Sequence, residues 1–259
     1  AFLLYPILRY HPNENVYFNF LIGGLKGAKE KNFPSWGNSF GNAYFQGIKW
    51  INENAPKEAK LTLIQGTRLN VPPILVRKDI DFSALNWSGI DRGGEYLMDL
   101  TFNDTTEEFH YAWEYVEKFL IPVYEVKADG VPILKIWKND IDYTRQEYRL
   151  SEKEYFGAFS TKKEQNLLIV NFNKDLTLSR VILSYGFTEG CSPISMSYLE
   201  TSKDSKNWVR EKDWIPYPQV GMKSNNDGDK ITFYLAARKA RALRFRFDNA
   251  NSCAFGNPQ

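Results

Sequence analysis

The hydrophobic period of this chain changes once, near residue 140, and that change limits the folds open to it. Before it, helical spacing alternates with β-rich runs. Tyr44, Ile48 and Ile51 lie on one helical stripe within Asn42 to Asn54, with Phe45 beside it and Pro56 as the stop. Leu61 to Gln65 and Tyr96 to Phe102 read as strands. Phe109, Ala112, Trp113, Val116 and Phe119 then recur at helical spacing, after a start in which Thr105 and Glu108 suit a capping box. Pro122 to Val126 and Val131 to Trp137 flank Ala128-Asp129-Gly130, the signal of a tight hairpin. These elements predict a small open-sheet α/β domain over residues 38–140, preceded by an ordered connector over 1–37 that shows no sustained period.

After residue 140 the chain reads differently. Residues 141–154 are polar and charged and read as a linker. Over 155–259 no amphipathic helix is evident. Leu167 to Phe172, Ser179 to Tyr185, Ser195 to Thr201, Lys230 to Leu235 and Ala242 to Phe247 are short β-rich runs separated by turns. Many short strands at such spacing predict an all-β domain, a sandwich or a barrel.

Net charge is +2 from 33 basic and 31 acidic residues, so nucleic acid is not an expected partner. The run Arg238, Lys239, Arg241, Arg244, Arg246 alternates with apolar residues and reads as the polar side of a late strand. Aromatic residues reach 15%, well suited both to β-structure cores and to platforms for sugar rings. The candidate sugar contacts are Trp208, Trp214, Tyr217 and Tyr234 in the β-domain, and Trp36 and Trp87 in the first domain. Core packing is the competing reading for each ring.

The chemistry of catalysis is thinly represented. His11 and His110 are the two histidines, and no nucleophile elbow accompanies either. No catalytic residue is therefore assigned. Gly23-Gly24 and Gly93-Gly94 lack the strand–glycine–helix setting of a phosphate loop. Neither cysteine has the spacing of a zinc site. Asp227 and Asp229, in Asn225-Asn226-Asp227-Gly228-Asp229, are the only calcium candidates, and a hairpin turn is favoured over a calcium loop there. No cofactor is expected. Cys191 and Cys253 admit either one disulfide or two free thiols. No stretch reaches the ~20 apolar residues of a membrane span. The uncharged first eight residues fit either the stub of a preceding transmembrane helix or a buried strand.

Two resemblances add to this. The stretches YHPNENVYFNFLIGGLKGA (10–28) and WGNSFGNAYFQGIKWINENAPKEAKLTL (36–63) carry His11, Pro12, Val16, Tyr17, Phe18, Asn19, Trp36, Gly37, Trp50, Ile51, Asn52, Ala55 and Pro56. This pattern resembles the segment after the last transmembrane helix of bacterial GT-C membrane glycosyltransferases, the family related to dolichyl-phosphate-mannose protein mannosyltransferases. The hairpin VKADGVPILKIWK (126–138) resembles the end of the same soluble region. Pro34-Ser35 stands where that family often has an acidic residue and Tyr.

The second resemblance lies in SRVILSYGF (179–187), YLETSKDSKNWV (198–209) and ARALRFRF (240–247). It is to discoidin, or factor 5/8 C-type, domains of the galactose-binding-like class, and it implies an all-β jelly-roll sandwich over 155–259. Ser202, Asp204 and Trp208 fit that family's Ser-x-Asp-Gly-x-x-Trp turn, with Ser205 where Gly is usual and Asn171 where a strand Asp is usual. Together the resemblances imply an extracytoplasmic, membrane-attached accessory region of a glycosyltransferase that uses a polyprenyl-phosphate-linked sugar. The catalytic acids of such enzymes lie between early transmembrane helices, a region this chain does not contain. Its partners would be the transmembrane portion of the same polypeptide and a glycan or glycosylated acceptor, and it would face the periplasm or cell exterior. The alternatives are a free-standing carbohydrate-binding or adhesion module, and a structural tail without a ligand.

Overall fold

The computed structural model describes residues 4–39, 41–64, 71–102, 110–150, 153, 155, 157, 159–164, 166–184, 196–211 and 230–247. The chain divides into two compact units, Ala1–Arg149 and Leu150–Gln259. Among the described residues, four α-helices lie in the first unit and each unit holds one five-stranded sheet.

The first unit contains α1 (Leu4–Tyr10), α2 (Gly24–Glu30), α3 (Asn42–Asn54), α4 (His110–Phe119), β1 (Lys60–Leu63), β2 (Asp81–Phe82), β3 (Tyr96–Leu100), β4 (Pro122–Ala128) and β5 (Val131–Lys138). The sheet order is β2-β1-β3-β5-β4, with β1 parallel to β2 and β3 and the remaining pairs antiparallel. Helix α3 has the bounds its spacing predicts. Tyr44, Ile48 and Ile51 join Met98, Leu134 and Ile136 in one core, while Phe45 is exposed. Gly47 sets the closeness of that packing, since a Cβ there would lie 2.6 Å from Met98 Sδ. Arg77 closes the helix end: its guanidinium donates to the carbonyls of Asn52, Ala55 and Pro56 at 2.6, 3.0 and 2.7 Å. In the β4–β5 hairpin, Asp129 and Gly130 both take positive φ (48° and 76°), the conformation Asp-Gly adopts most readily.

Two stretches differ from the sequence reading. The connector is not free of helix: α1 and α2 lie within it. Glycines break the period of α2, and packing supplies what local propensity does not. Leu25, Gly27 and Ala28 are buried, and a Cβ on Gly27 would sit only 1.8 Å from the Ile22 carbonyl oxygen. A buried N-terminal strand is excluded, because 4–10 is helical and Leu8 is 77% exposed. The segment 141–149, read as part of a linker, is packed onto the first unit. Thr144 is fully buried and forms an antiparallel bridge with Leu120, while Arg145 N donates to Phe119 O at 2.8 Å. Arg149 then holds the turn by donating to the carbonyls of Thr144 and Asp142, both at 2.8 Å. A polar sequence is compatible with burial here because its polar atoms find partners.

The second unit contains β6 (Phe159–Glu164), β7 (Leu167–Ser184), β8 (Met196–Ser202), β9 (Val209–Arg210) and β10 (Lys230–Phe247), antiparallel in the order β6-β7-β10-β8-β9. Four of the short runs read from sequence merge into two long strands. Leu167 to Ser184 is continuous and pairs with β10, which passes register shifts between Tyr234 and Arg238 and between Ala240 and Ala242. Bulges keep a strand going where hydrophobic alternation breaks, so the sequence pattern looked interrupted. One face of the sheet is core: Leu168, Leu199, Leu243, Phe245 and Phe247 are buried, with Val170 and Phe172 packed against them. A second sheet, which a jelly roll requires, is not found among the described residues.

Candidate functional site

The other face of the second sheet carries a different set of side chains. Directly paired residues on antiparallel strands point to the same side. Tyr198 is paired with Arg246, and Glu200 with both Arg244 and Arg210. These positions alternate with the buried Leu199, Leu243, Phe245 and Phe247, so all five lie on the outer face. The late basic run is thus, at Arg244 and Arg246, the polar side of a strand, as its alternation predicts.

Trp208 is delivered to this face by the turn between β8 and β9. Asp204 organises that turn: Oδ1 accepts from the backbone N–H of Lys206 and Asn207 at 2.9 and 2.7 Å and from the Ser202 hydroxyl at 3.1 Å, while Oδ2 accepts from Asn207 Nδ2 at 2.6 Å. The backbone N–H donors, with help from Asn207 and Ser202, hold the Asp204 carboxyl well below the usual carboxylate range. Ser205 adopts φ 59°, the left-handed region that favours glycine. A glycine would take this conformation without strain.

Trp208 is half-buried, with the Arg244 guanidinium carbon 4.4 Å from its ring centre. Arg244 Nε also donates to Glu200, which is mostly buried and raises the guanidinium's pKa further. Beside them, Tyr198 has Arg210 and Arg246 at 4.6 and 5.4 Å from its ring centre. The face therefore offers a flat indole, a phenol, an acceptor at Glu200 and guanidinium donors within one patch.

The sequence-derived candidates fare differently. Trp208 lies in this patch. Tyr234 is half-buried on β10, paired with Arg180 of β7, whose guanidinium lies 5.5 Å from its ring centre. Trp36 is 3% exposed, within the first unit's core and under Lys29, which removes it as a sugar platform. Trp87 is half-buried and meets Tyr115 edge-on at 5.5 Å, so part of its ring is committed to the first unit's packing. Trp214, Tyr217, Asp227, Asp229, Cys191 and Cys253 lie outside the described residues. Tyr198, Glu200, Arg210, Arg244 and Arg246 were missed as site residues. The usable signal was the pair of alternations Tyr198-x-Glu200 and Arg244-x-Arg246, which marks the outer side of both strands.

In the first unit, Glu95 is 1% exposed and is bound by the backbone N–H and hydroxyl of Ser88 and by Asn139 Nδ2, at 2.8–2.9 Å. Tyr115 donates to Asn139 Oδ1 at 3.0 Å, and burial raises its phenol above the usual range. These partners all come from the chain itself, which makes the cluster a scaffold for the 88–95 loop. His11 pairs with Glu14 at 2.6 Å on the surface of the connector. No group of three or more His, Cys, Asp or Glu side chains placed to hold a metal occurs among the described residues.

No family model matches this sequence, and no curated protein matches it. The glycosyltransferase-like pattern of residues 10–63 therefore has no counterpart among family models or curated proteins. The solved chains similar to part of this chain include the following two. One is CpGH89CBM32-6 produced by Clostridium perfringens, at 18% identity and a TM-score of 0.24, over 35% of this chain and 66% of that one. The other is a chitobiase fragment from Bacteroides thetaiotaomicron, at 21% identity and a TM-score of 0.24, over 35% of this chain and 50% of that one. This chain thus spans less than two thirds of either.

Proposed function

We propose that the second unit is a carbohydrate-binding module of the galactose-binding-like, jelly-roll kind, serving as an accessory part of a longer extracytoplasmic protein. The carrying observation is the half-buried Trp208 ring, fixed by Arg244 at 4.4 Å and set beside the Glu200 carboxylate. An indole face takes the apolar C–H face of a pyranose, and fixed acceptors and donors beside it take the hydroxyls. The core face of the same sheet supplies a rigid base for those groups. The proposal is tested by isothermal titration of the full chain and its Trp208→Ala variant against neutral galacto-oligosaccharides. Binding that Trp208→Ala weakens by about tenfold or more supports it, and a folded wild-type chain that binds no sugar sinks it.

A second reading concerns the first unit. Phe20 (85% exposed) and Leu21 (77%) adjoin α2, and Ile7 and Leu8 are exposed on α1. These segments meet where Tyr10, Gly24 and Asp129 come together, Tyr10 donating to Asp129 at 2.9 Å. Exposed apolar side chains on these segments favour attachment to a membrane or to the transmembrane portion of the same polypeptide, the setting expected of a glycosyltransferase tail. No described helix is long and apolar enough to cross a membrane. Co-sedimentation with liposomes that is lost in Phe20→Ser/Leu21→Ser supports attachment to lipid. Equal sedimentation of both proteins removes that reading and leaves the carbohydrate reading untouched.

A further inference from the structure

Among the described residues around Tyr198, on the outer face of the second sheet, arginines outnumber carboxylates. The carboxylate there, Glu200, is engaged by Arg244. Lys162 and Glu164 on the edge strand β6 pair with one another at 2.6 Å. Arg210 and Arg246 remain. They reach the Tyr198 ring from the two strands that flank β8, both are exposed, and among the described residues neither has a carboxylate partner. Two like charges beside one ring repel each other, which a bound oxyanion would offset, and each guanidinium carries planar donor pairs that suit one. Cation–π contact with the Tyr198 ring between their strands holds each of them near it.

We infer that the glycan taken by this face is anionic, a carboxylated sugar of the uronic-acid class, with Trp208 under one sugar ring and the carboxylate of a neighbouring residue held by Arg210 and Arg246. A carboxylate matches the guanidinium fork with two parallel hydrogen bonds, which a hydroxyl cannot do. The geometry favours a sugar over a bare anion because the arginines share their patch with an indole and a phenol. This inference rests on the carbohydrate-binding reading and narrows its ligand.

The test uses the full chain and three probes: an oligogalacturonate, a neutral galacto-oligosaccharide of equal length, and inorganic polyphosphate. The expected result is that oligogalacturonate binds at least about tenfold more tightly than the neutral sugar, and that this preference shrinks when NaCl is raised from about 50 to about 300 mM. Arg210→Ala/Arg246→Ala is expected to bring the two sugars to near-equal affinity, and Arg210→Lys/Arg246→Lys to restore only part of the preference, because lysine keeps the charge and loses the fork. A wild-type chain that binds both sugars equally overturns the inference and leaves the carbohydrate reading standing. Polyphosphate bound more tightly than oligogalacturonate also overturns it, since the site would then read charge without sugar. A folded chain that binds neither sugar overturns both.

Discussion

Arg244 lies across the Trp208 ring, its Cζ 4.4 Å from the ring centre, while its Nε donates to Glu200. One side chain thereby fixes both the platform and the acceptor of the proposed site. Arg244 and Glu200 sit on neighbouring strands as directly opposed residues, so the strand register itself sets their distance. A slip of either strand by one residue would turn its member of the pair to the core face and separate the two.

Arg244→Ala is therefore expected to destabilise the second unit by about 2 kcal/mol. It removes a cation–π contact and leaves the mostly buried Glu200 without its donor. Glu200→Gln in the same background should recover part of that loss by removing the stranded charge. Urea denaturation of the two variants measures it. Equal midpoints for wild type and Arg244→Ala would show that the pair is solvated rather than structural.

Ser205→Gly is expected to raise stability by about 0.5–1 kcal/mol, because Ser205 occupies φ 59° and glycine adopts that region without strain. Ser205→Val should lower it, a β-branched residue being least suited to positive φ. Thermal melting read by circular dichroism distinguishes the two directions. Sugar affinity should follow the turn only weakly.

Acid should weaken the Asp204 turn. The carboxyl's folded pKa lies below its unfolded value of about 3.9, so its contribution is fully present above that value and fades as pH falls through the folded one. Wild type should thus exceed Asp204→Asn by a constant margin between about pH 7 and 5, with the gap narrowing below about pH 4. Denaturation midpoints across that range are the measurement. A gap that widened in acid would contradict the assigned cause.

Gly27→Ala should destabilise the first unit by about 3 kcal/mol, since the new Cβ would meet the Ile22 carbonyl oxygen at 1.8 Å and backbone must move. Lys26→Ala, one residue away and on the surface, is the control and should change little. Wild-type stability in Gly27→Ala would mean that α2 can shift freely against the residues before it.

Limited proteolysis should spare 141–149. Thr144 is buried there, and Arg149 ties the turn to backbone carbonyls. Early cleavage within 141–149 would restore the linker reading of that stretch.

The sequence by itself determined the elements whose signals are local. Helix α3 follows from the spacing of Tyr44, Ile48 and Ile51, the β4–β5 hairpin from Asp129-Gly130, and the outward side of β10 from the alternation of Arg244 and Arg246 with apolar residues. It also offered Trp208 as a candidate through the Ser202–Asp204 turn. Tertiary structure alone decided what depends on distant partners. Helix α2 exists despite its glycines because Gly27 packs against Ile22, and 141–149 belongs to the first unit because Leu120 and Phe119 supply its backbone partners. Trp36 and Trp208 look alike as letters, yet one is core and the other lies on a charged face, since burial is fixed by packing and not by residue type. The meeting of Tyr198 with Arg246 was equally invisible, because β8 and β10 come together only through pairing between segments far apart in the chain.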